Sequence, residues 1–398
     1  MRPRLRLPVA LLSALVAAEA AVLLLRPREP VPRPQPVEAR DYFSEQEIER
    51  AEAFRSGQRT LFLLRLGIEG AVLVLVVRAA PELSRLRRRP VLAGAAAGAA
   101  LSVALTTIVL PVSAISRERA KDVGLVTQSW GGWAGDVVKS EAIGAVFAAA
   151  GGALLVFGMR RFGRNWWIPG AAVVLAFGVL TTYGAPVVLD PVFNRFTPLP
   201  EGKVRTAVIE LAGEAGVDVG EVYEMDASRR TTAANAYVAG LGGTKRVVLY
   251  DTLLEEFSFE EVRLVVAHEL AHVANRDVPN GLLFLAIVAP FGMFAVARLT
   301  EAFGGREPGA RAVPAAALAL ALVVPAMTAV SNQLSRDVEA RADADAMRLT
   351  GQPAAQIAFQ RRIAVQNVSD PDAPRWAHVL FGTHPTTLER IGAAEALR

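Results

Sequence analysis

His268, Glu269 and His272 fall in one stretch, Ala267-His268-Glu269-Leu270-Ala271-His272, with the spacing H-E-x-x-H. Positions i and i+4 share a helix face, so both imidazoles can offer a ring nitrogen to one divalent metal. Glu269 then stands beside a water attacking a carbonyl, placed to act as its base. The chain has four histidines in 398 residues, and a chance match to this pattern is on the order of one in a few hundred. The competing reading, ordinary polar residues on a helix face, treats that spacing as accident. The helix itself is readable: Ser258 and Glu261 form a capping box, and Val262, Val265, Val266, Leu270 and Val273 recur at helical spacing.

A catalytic zinc takes a third protein ligand and keeps its fourth position open. The second polar stretch offers Glu339, beside an apolar stripe of Leu334, Val338, Ala342 and Ala346. Asp343 lies one turn further on the same face, where it can accept the distal N–H of a ligand histidine. Alone, these acids read as a solvated face with Arg336 and Arg341 as companions; the incomplete histidine pair is what selects Glu339. The expected cofactor is one Zn2+ per chain. Without cysteine, disulfides and a thiol nucleophile are excluded. A structural zinc site closed by four ligands loses its commonest donor for the same reason.

The elements that must position these groups are unusual for a soluble enzyme. The composition is 52% hydrophobic and 21% charged, with a mean hydropathy of +0.32, and the apolar residues gather in long runs. Runs near the ~20 residues that cross a bilayer are Pro8 to Leu25, Thr60 to Ala80, Val91 to Ile115, Ala142 to Met159, Trp166 to Leu189, Asn280 to Ala297 and Val313 to Val330. The Ala- and Gly-rich start of the third, Val91 to Leu101, also suits a buried soluble helix. The first, behind Met1 to Arg6, is long for a cleaved signal peptide and is interrupted by Glu19, so it reads as a signal anchor. The expected fold is a mainly α, multi-span helical membrane protein of about seven transmembrane helices with a small α+β zincin-type domain. Residues 1–190 form an N-terminal membrane domain of about five spans. Residues 191–398 form a zinc metallopeptidase domain interrupted by two spans, 280–297 and 313–330. Pro-rich Arg26 to Pro36 reads as a linker, and Asp41 to Arg59 as a solvated helix before the second span. A net charge of +4 sits in short loops beside apolar runs, which indicates the lipid bilayer as partner and no nucleic acid.

Ala236 to Leu241 and Arg246 to Tyr250 read as two strands around Gly242-Gly243-Thr244, directly before the metal helix. A strand there can pair with an extended peptide substrate. Asn235 at its entrance suits either a substrate-carbonyl contact or a turn cap. Arg65 and Glu69, i and i+4 within a span, read as an ion pair.

Taken in order, these segments resemble the integral-membrane type I CAAX prenyl proteases and their bacterial relatives, gluzincin-type zinc endopeptidases. The resemblance runs from about Asp41 onward. It rests on His268-Glu269-x-x-His272, Glu339-x-x-Ala342-Asp343, Val192-Phe193-Asn194-Arg195-Phe196-Thr197-Pro198-Leu199-Pro200-Glu201-Gly202, Asn235-Ala236-Tyr237 leading into Gly243 to Leu253, and His384-Pro385. It implies about seven helices around a chamber capped by the zinc domain, and proteolysis at or within the membrane. It also implies that His384 returns to the cleft to steady the oxyanion; a turn-stabilising role is the other reading. Family members commonly follow His-Pro with a second proline, where this chain has Thr386. Eukaryotic members cut prenylated C-a-a-X tails, whereas the Ala-, Gly- and Arg-rich composition points to bacteria and to general membrane-protein or peptide substrates. A non-proteolytic transporter or scaffold with a structural metal is the rival from another class, and a degenerate protease that binds without cutting is answered by intact Glu269. On orientation two arguments conflict: basic Arg2 to Arg6, Arg85 to Arg89 and Arg160 to Arg164 lie on one side if the spans alternate, which puts the zinc domain outside the cytoplasm. The eukaryotic relatives place theirs toward the cytosol.

Overall fold

The computed structural model describes residues 3–79, 88–240, 242 and 245–398. Strand end Leu241, turn residues Gly243 and Thr244, span end Ala80, and basic residues Arg2, Arg85 and Arg87 lie outside that set. The N-terminal elements are α1 (Pro3–Leu25), a short α2 (Ala39–Tyr42), α3 (Glu45–Ala79), α4 (Pro90–Asp122), α5 (Trp130–Phe162), α6 (Trp167–Val188) and one-turn α7 (Asp190–Phe193). A polar unit follows, with β1 (Phe196–Pro198), α8 (Lys203–Glu214), β2 (Glu221–Met225), β3 (Ala236–Ala239), β4 (Arg246–Tyr250), α9 (Asp251–Glu256) and α10 (Phe259–Ala274). Then come α11 (Asp277–Ala302) and α12 (Ala312–Thr350), and finally α13 (Pro353–Gln366), α14 (Arg375–Phe381) and α15 (Thr387–Glu395).

Among the described residues, seven helices are long and apolar enough to cross a membrane. Each expected span lies within one of them, to within a residue or so at the ends. The helices outrun the apolar runs because hydropathy registers only the part that meets hydrocarbon, while the backbone ladder continues into the polar unit. Residues 45–59 are therefore the first half of α3, and they are not simply solvated: Ala51 and Phe54 are buried against Val368. Likewise the expected linker is strapped down. Gln35 N donates to Gly392 O at 3.0 Å, and any Cβ at Gly392 would run into Gln35 O. Arg65 Nε lies 2.8 Å from Glu69 Oε1, as expected.

The first span joins the last two. Ala10 and Ala14 pack with Ala295, Ala312 and Ala319, and Ala18 and Ala21 with Val288. Between α4 and α5 the backbones nearly touch, since a Cβ at Gly94 would meet Gly152 O and one at Gly98 would meet Ala148 O. Small residues four apart permit that approach in lipid. An apolar cavity of 510 Å³ lies among α4, α5, α6, α11 and α12, in the half of the bundle away from the polar unit. On that same far side Arg298 Nη2 donates to Arg164 O at 3.4 Å, so the α5–α6 turn and the end of α11 share one basic face.

The polar unit is built on a four-stranded sheet of order β1-β2-β4-β3. β2 and β4 run parallel, and β3 pairs antiparallel with β4, Ala236 opposite Leu249. The hairpin was readable; β1 and β2 were not, because three and five residues of mixed exposure carry no usable alternation. Val222, Val247 and Leu249 pack into one core with Leu264, Val266 and Leu270 of α10. This core holds the metal helix against the sheet and leaves β3 at the edge.

Candidate metal centre

α10 starts at the expected cap: Ser258 N donates to Glu261 Oε2 at 2.7 Å and Glu261 N to Ser258 Oγ at 3.4 Å. Its valine and leucine face is buried, so His268 and His272 turn toward α12. There Glu339 meets them, and these three donor atoms lie within 4.8 Å of one another. His268 Nε2 is 3.1 Å from His272 Nε2 and 3.2 Å from Glu339 Oε2, and His272 Nε2 is 3.6 Å from Glu339 Oε1. Ligand atoms about 2.0–2.1 Å from a tetrahedral metal stand about 3.3 Å apart, which these separations bracket. Two further features fit a shared cation. Two imidazole nitrogens at 3.1 Å cannot both donate to each other. Glu339 Oε2 is buried and faces two ring nitrogens, His268 Nε2 at 3.2 Å and His384 Nε2 at 3.3 Å.

Each histidine is backed by an acid. Asp343 Oδ1 lies 3.0 Å from His268 Nδ1, on the face expected for it. His272 Nδ1 lies 2.9 Å from Asp277 Oδ2, a partner the sequence reading missed. Asp277 comes one residue after Arg276, whose left-handed φ of 57° turns the chain between α10 and α11 and brings the carboxylate back to the ring. Two arginines, Arg341 buried and Arg390 partly so, complete the arrangement. Arg390 donates from Nε and Nη2 to Asp343, and Arg341 pairs with Asp277. Arg390 was also missed, although it is a lone cation on a C-terminal helix whose Ile391 and Ala394 are buried.

Glu269, His384 and Asn235 border one cleft with His268. Burial raises the Glu269 carboxyl above its ordinary range, against the pull of His268 and His272. His384 arrives from the loop before α15, whose Thr386 forms its own capping box with Glu389. Threonine thus supplies at this position a helix start that a proline cannot cap. His384 Nε2 lies 3.3 Å from Glu339 Oε2 with half its side chain exposed, and Thr383 Oγ1 is 2.9 Å from its Nδ1. A hydroxyl donating to Nδ1 leaves the ring proton on Nε2, toward the cleft. Asn235 stands where β3 begins; its Oδ1 accepts from Ala236 N at 2.9 Å.

A sequence model of peptidase family M48 matches residues 198–398, and one described as CAAX prenyl protease N-terminal, five membrane helices, matches residues 32–195. An uncharacterized metalloprotease, YhfN, of Bacillus subtilis (strain 168) is 32% identical over 308 residues, covering 74% of this chain and 71% of that protein. A CAAX prenyl protease 1 homolog of Oryza sativa subsp. japonica is 32% identical over 57% of this chain, which spans 54% of the rice protein's length. The crystal structure of S. mikatae Ste24p shares the fold, with a TM-score of 0.76 over 99% of both chains at 19% identity. The chain belongs to peptidase family M48 and is a multi-pass membrane metalloprotease.

Proposed function

We propose that this chain is a zinc endopeptidase acting on membrane-associated or peptide substrates, with one Zn2+ held by His268, His272 and Glu339. In this reading residues 1–190 are the membrane portion and 191–398 the peptidase portion. The observation that carries it is the convergence of three donor atoms from α10 and α12 beside Glu269. When bound, the zinc lowers the pKa of water and polarises a carbonyl. Glu269 takes a proton from the attacking water and delivers it to the leaving amine; a carboxyl raised by burial is better matched to that exchange near neutral pH. His384 offers an N–H to the oxyanion. The edge strand β3 presents backbone donors and acceptors to an extended peptide, which binds main chain with little regard for sequence, and Asn235 contacts a substrate carbonyl at its start. Asp343 and Asp277 orient the ligand rings. The rice relative is named for CAAX prenyl cleavage; a bacterial-type composition supports broader substrates here.

The test is Glu269→Gln in purified protein. It should retain stoichiometric zinc and lose peptidase turnover by several orders of magnitude, about what removing a general base costs when it also delivers the proton. Turnover retained in this variant sinks the mechanism.

A further inference from the structure

The apolar cavity among α4, α5, α6, α11 and α12 takes no part in the metal centre, and it ends at the basic face. Its wall follows α5 from Ala148 to Phe162. At 1.5 Å per residue that stretch is about 21 Å long, more than one leaflet's half of a hydrocarbon layer about 30 Å thick. The cavity is open to the surrounding lipid on one side, where Leu154, Phe157 and Leu320 line it and are 48%, 52% and 41% exposed. Among the described residues one hydroxyl lies on its wall, that of Ser102, and it already donates to Glu141 Oε1 at 2.9 Å. Water finds few partners in such a space, and a hydrocarbon occupant is favoured.

The mouth has the opposite character. Phe162, Trp166 and Val313 stand at the basic end of the cavity, and Arg161 Cζ lies 5.4 Å from the centre of the Phe162 ring. Four arginines gather there. Arg164 and Arg298 share Glu301, at 3.5 and 3.1 Å. Arg160 and Arg161 are exposed and pair with no carboxylate among the described residues. Two uncompensated cations thus stand over an apolar slot one leaflet deep, the kind of basic pocket between membrane helices that takes an anionic headgroup.

We propose that this slot holds one anionic diacyl phospholipid, with an acyl chain in the cavity and the phosphate on Arg160 and Arg161. Free phosphate has the charge without the chains, and phosphatidylcholine has the chains without the net charge. Neither meets both requirements. The bound lipid fills the space between the close-packed α4–α5 pair and α12, the helix that carries Glu339.

The test titrates the full chain, delipidated in neutral detergent, with dioleoyl phosphatidylglycerol, dioleoyl phosphatidylcholine or glycerol 3-phosphate, and counts bound adducts by native mass spectrometry. Phosphatidylglycerol should bind once per chain and about 30-fold tighter than phosphatidylcholine, roughly fivefold for each arginine. Glycerol 3-phosphate should not bind. Arg160→Gln with Arg161→Gln should bring phosphatidylglycerol down to the phosphatidylcholine level. Gly151→Leu sends a side chain into the cavity from a position where a Cβ meets no atom within 4 Å. It should weaken both lipids at least about tenfold, the equivalent of two displaced CH2 groups. Ala317→Leu, from the α12 wall, should do the same and checks the site independently if the change at Gly151 disturbs folding. Equal affinity for the two lipids in wild type overturns the proposal. So does phosphatidylglycerol binding that survives both cavity substitutions at wild-type melting temperature, which would leave only a headgroup contact on the surface.

Discussion

Arg390 holds Asp343 by two hydrogen bonds, from Nε at 2.7 Å and Nη2 at 2.6 Å, and Asp343 in turn stands 3.0 Å from the far nitrogen of His268. The ring proposed above as a metal ligand is thus oriented from α15, through a carboxylate that two hydrogen bonds hold in place. Asp343→Asn should keep the ligand set and weaken zinc by about 10- to 100-fold. Glu339→Ala removes a ligand and should leave far less metal after dialysis. Elemental analysis of both variants decides the ranking, and full zinc in both would show that Glu339 is not a ligand.

Zinc binding should release a proton. Burial disfavours a charged His268, but hydrogen bonds to Asp343 and Glu339 outweigh it and lift its pKa to about 10. In chelator-stripped protein at neutral pH the ring therefore carries a proton that the entering metal displaces. Affinity should rise about tenfold per pH unit below that value and fall as the pH drops. Calorimetry in buffers of differing ionisation enthalpy measures the proton count; a count of zero contradicts the assignment.

His384→Ala should lower kcat about 100-fold or more with zinc content and melting unchanged, since a donor to the oxyanion acts mainly in the transition state. An unchanged kcat assigns His384 to the turn before α15. Loss of zinc would make it a ligand, which its 3.3 Å approach to Glu339 permits.

The basic face formed by the α5–α6 turn lies at the end of α12 away from the metal domain, and the charge rule predicts that face to be cytoplasmic. The chain has no cysteine, so single cysteines report cleanly. Glu201, 88% exposed at its side chain, marks the metal domain, and exposed Arg161 marks the basic turn. In intact cells an impermeant maleimide should label Glu201→Cys and spare Arg161→Cys, with both reactive after lysis. The reverse pattern places the metal domain in the cytosol.

The sequence revealed what periodicity and scarcity could carry. Seven apolar runs located the spans, and two histidines four apart on a capped, valine-rich helix located the face on which Glu339 converges with them. Glu339 needed the histidines as context, because an acid beside Arg336 and Arg341 is ordinary on a helix surface. Asp277 and Arg390 stayed hidden because their partners lie across a tight turn and 47 positions away respectively, and single-chain spacing encodes neither. The short strands β1 and β2 stayed hidden because their pairing, not their composition, makes them strands.

α12 runs unbroken for 39 residues from the basic face into the metal domain. At 1.5 Å per residue, Glu339 stands about 40 Å along the axis from Ala312 and about 13 Å past Val330. The hydrocarbon layer is about 30 Å thick, so a helix that enters it near Ala312 carries Glu339 beyond its opposite boundary. On the peptidase reading proposed above, a substrate anchored in the bilayer would be cut at a set distance from the membrane before the identity of its residues counts.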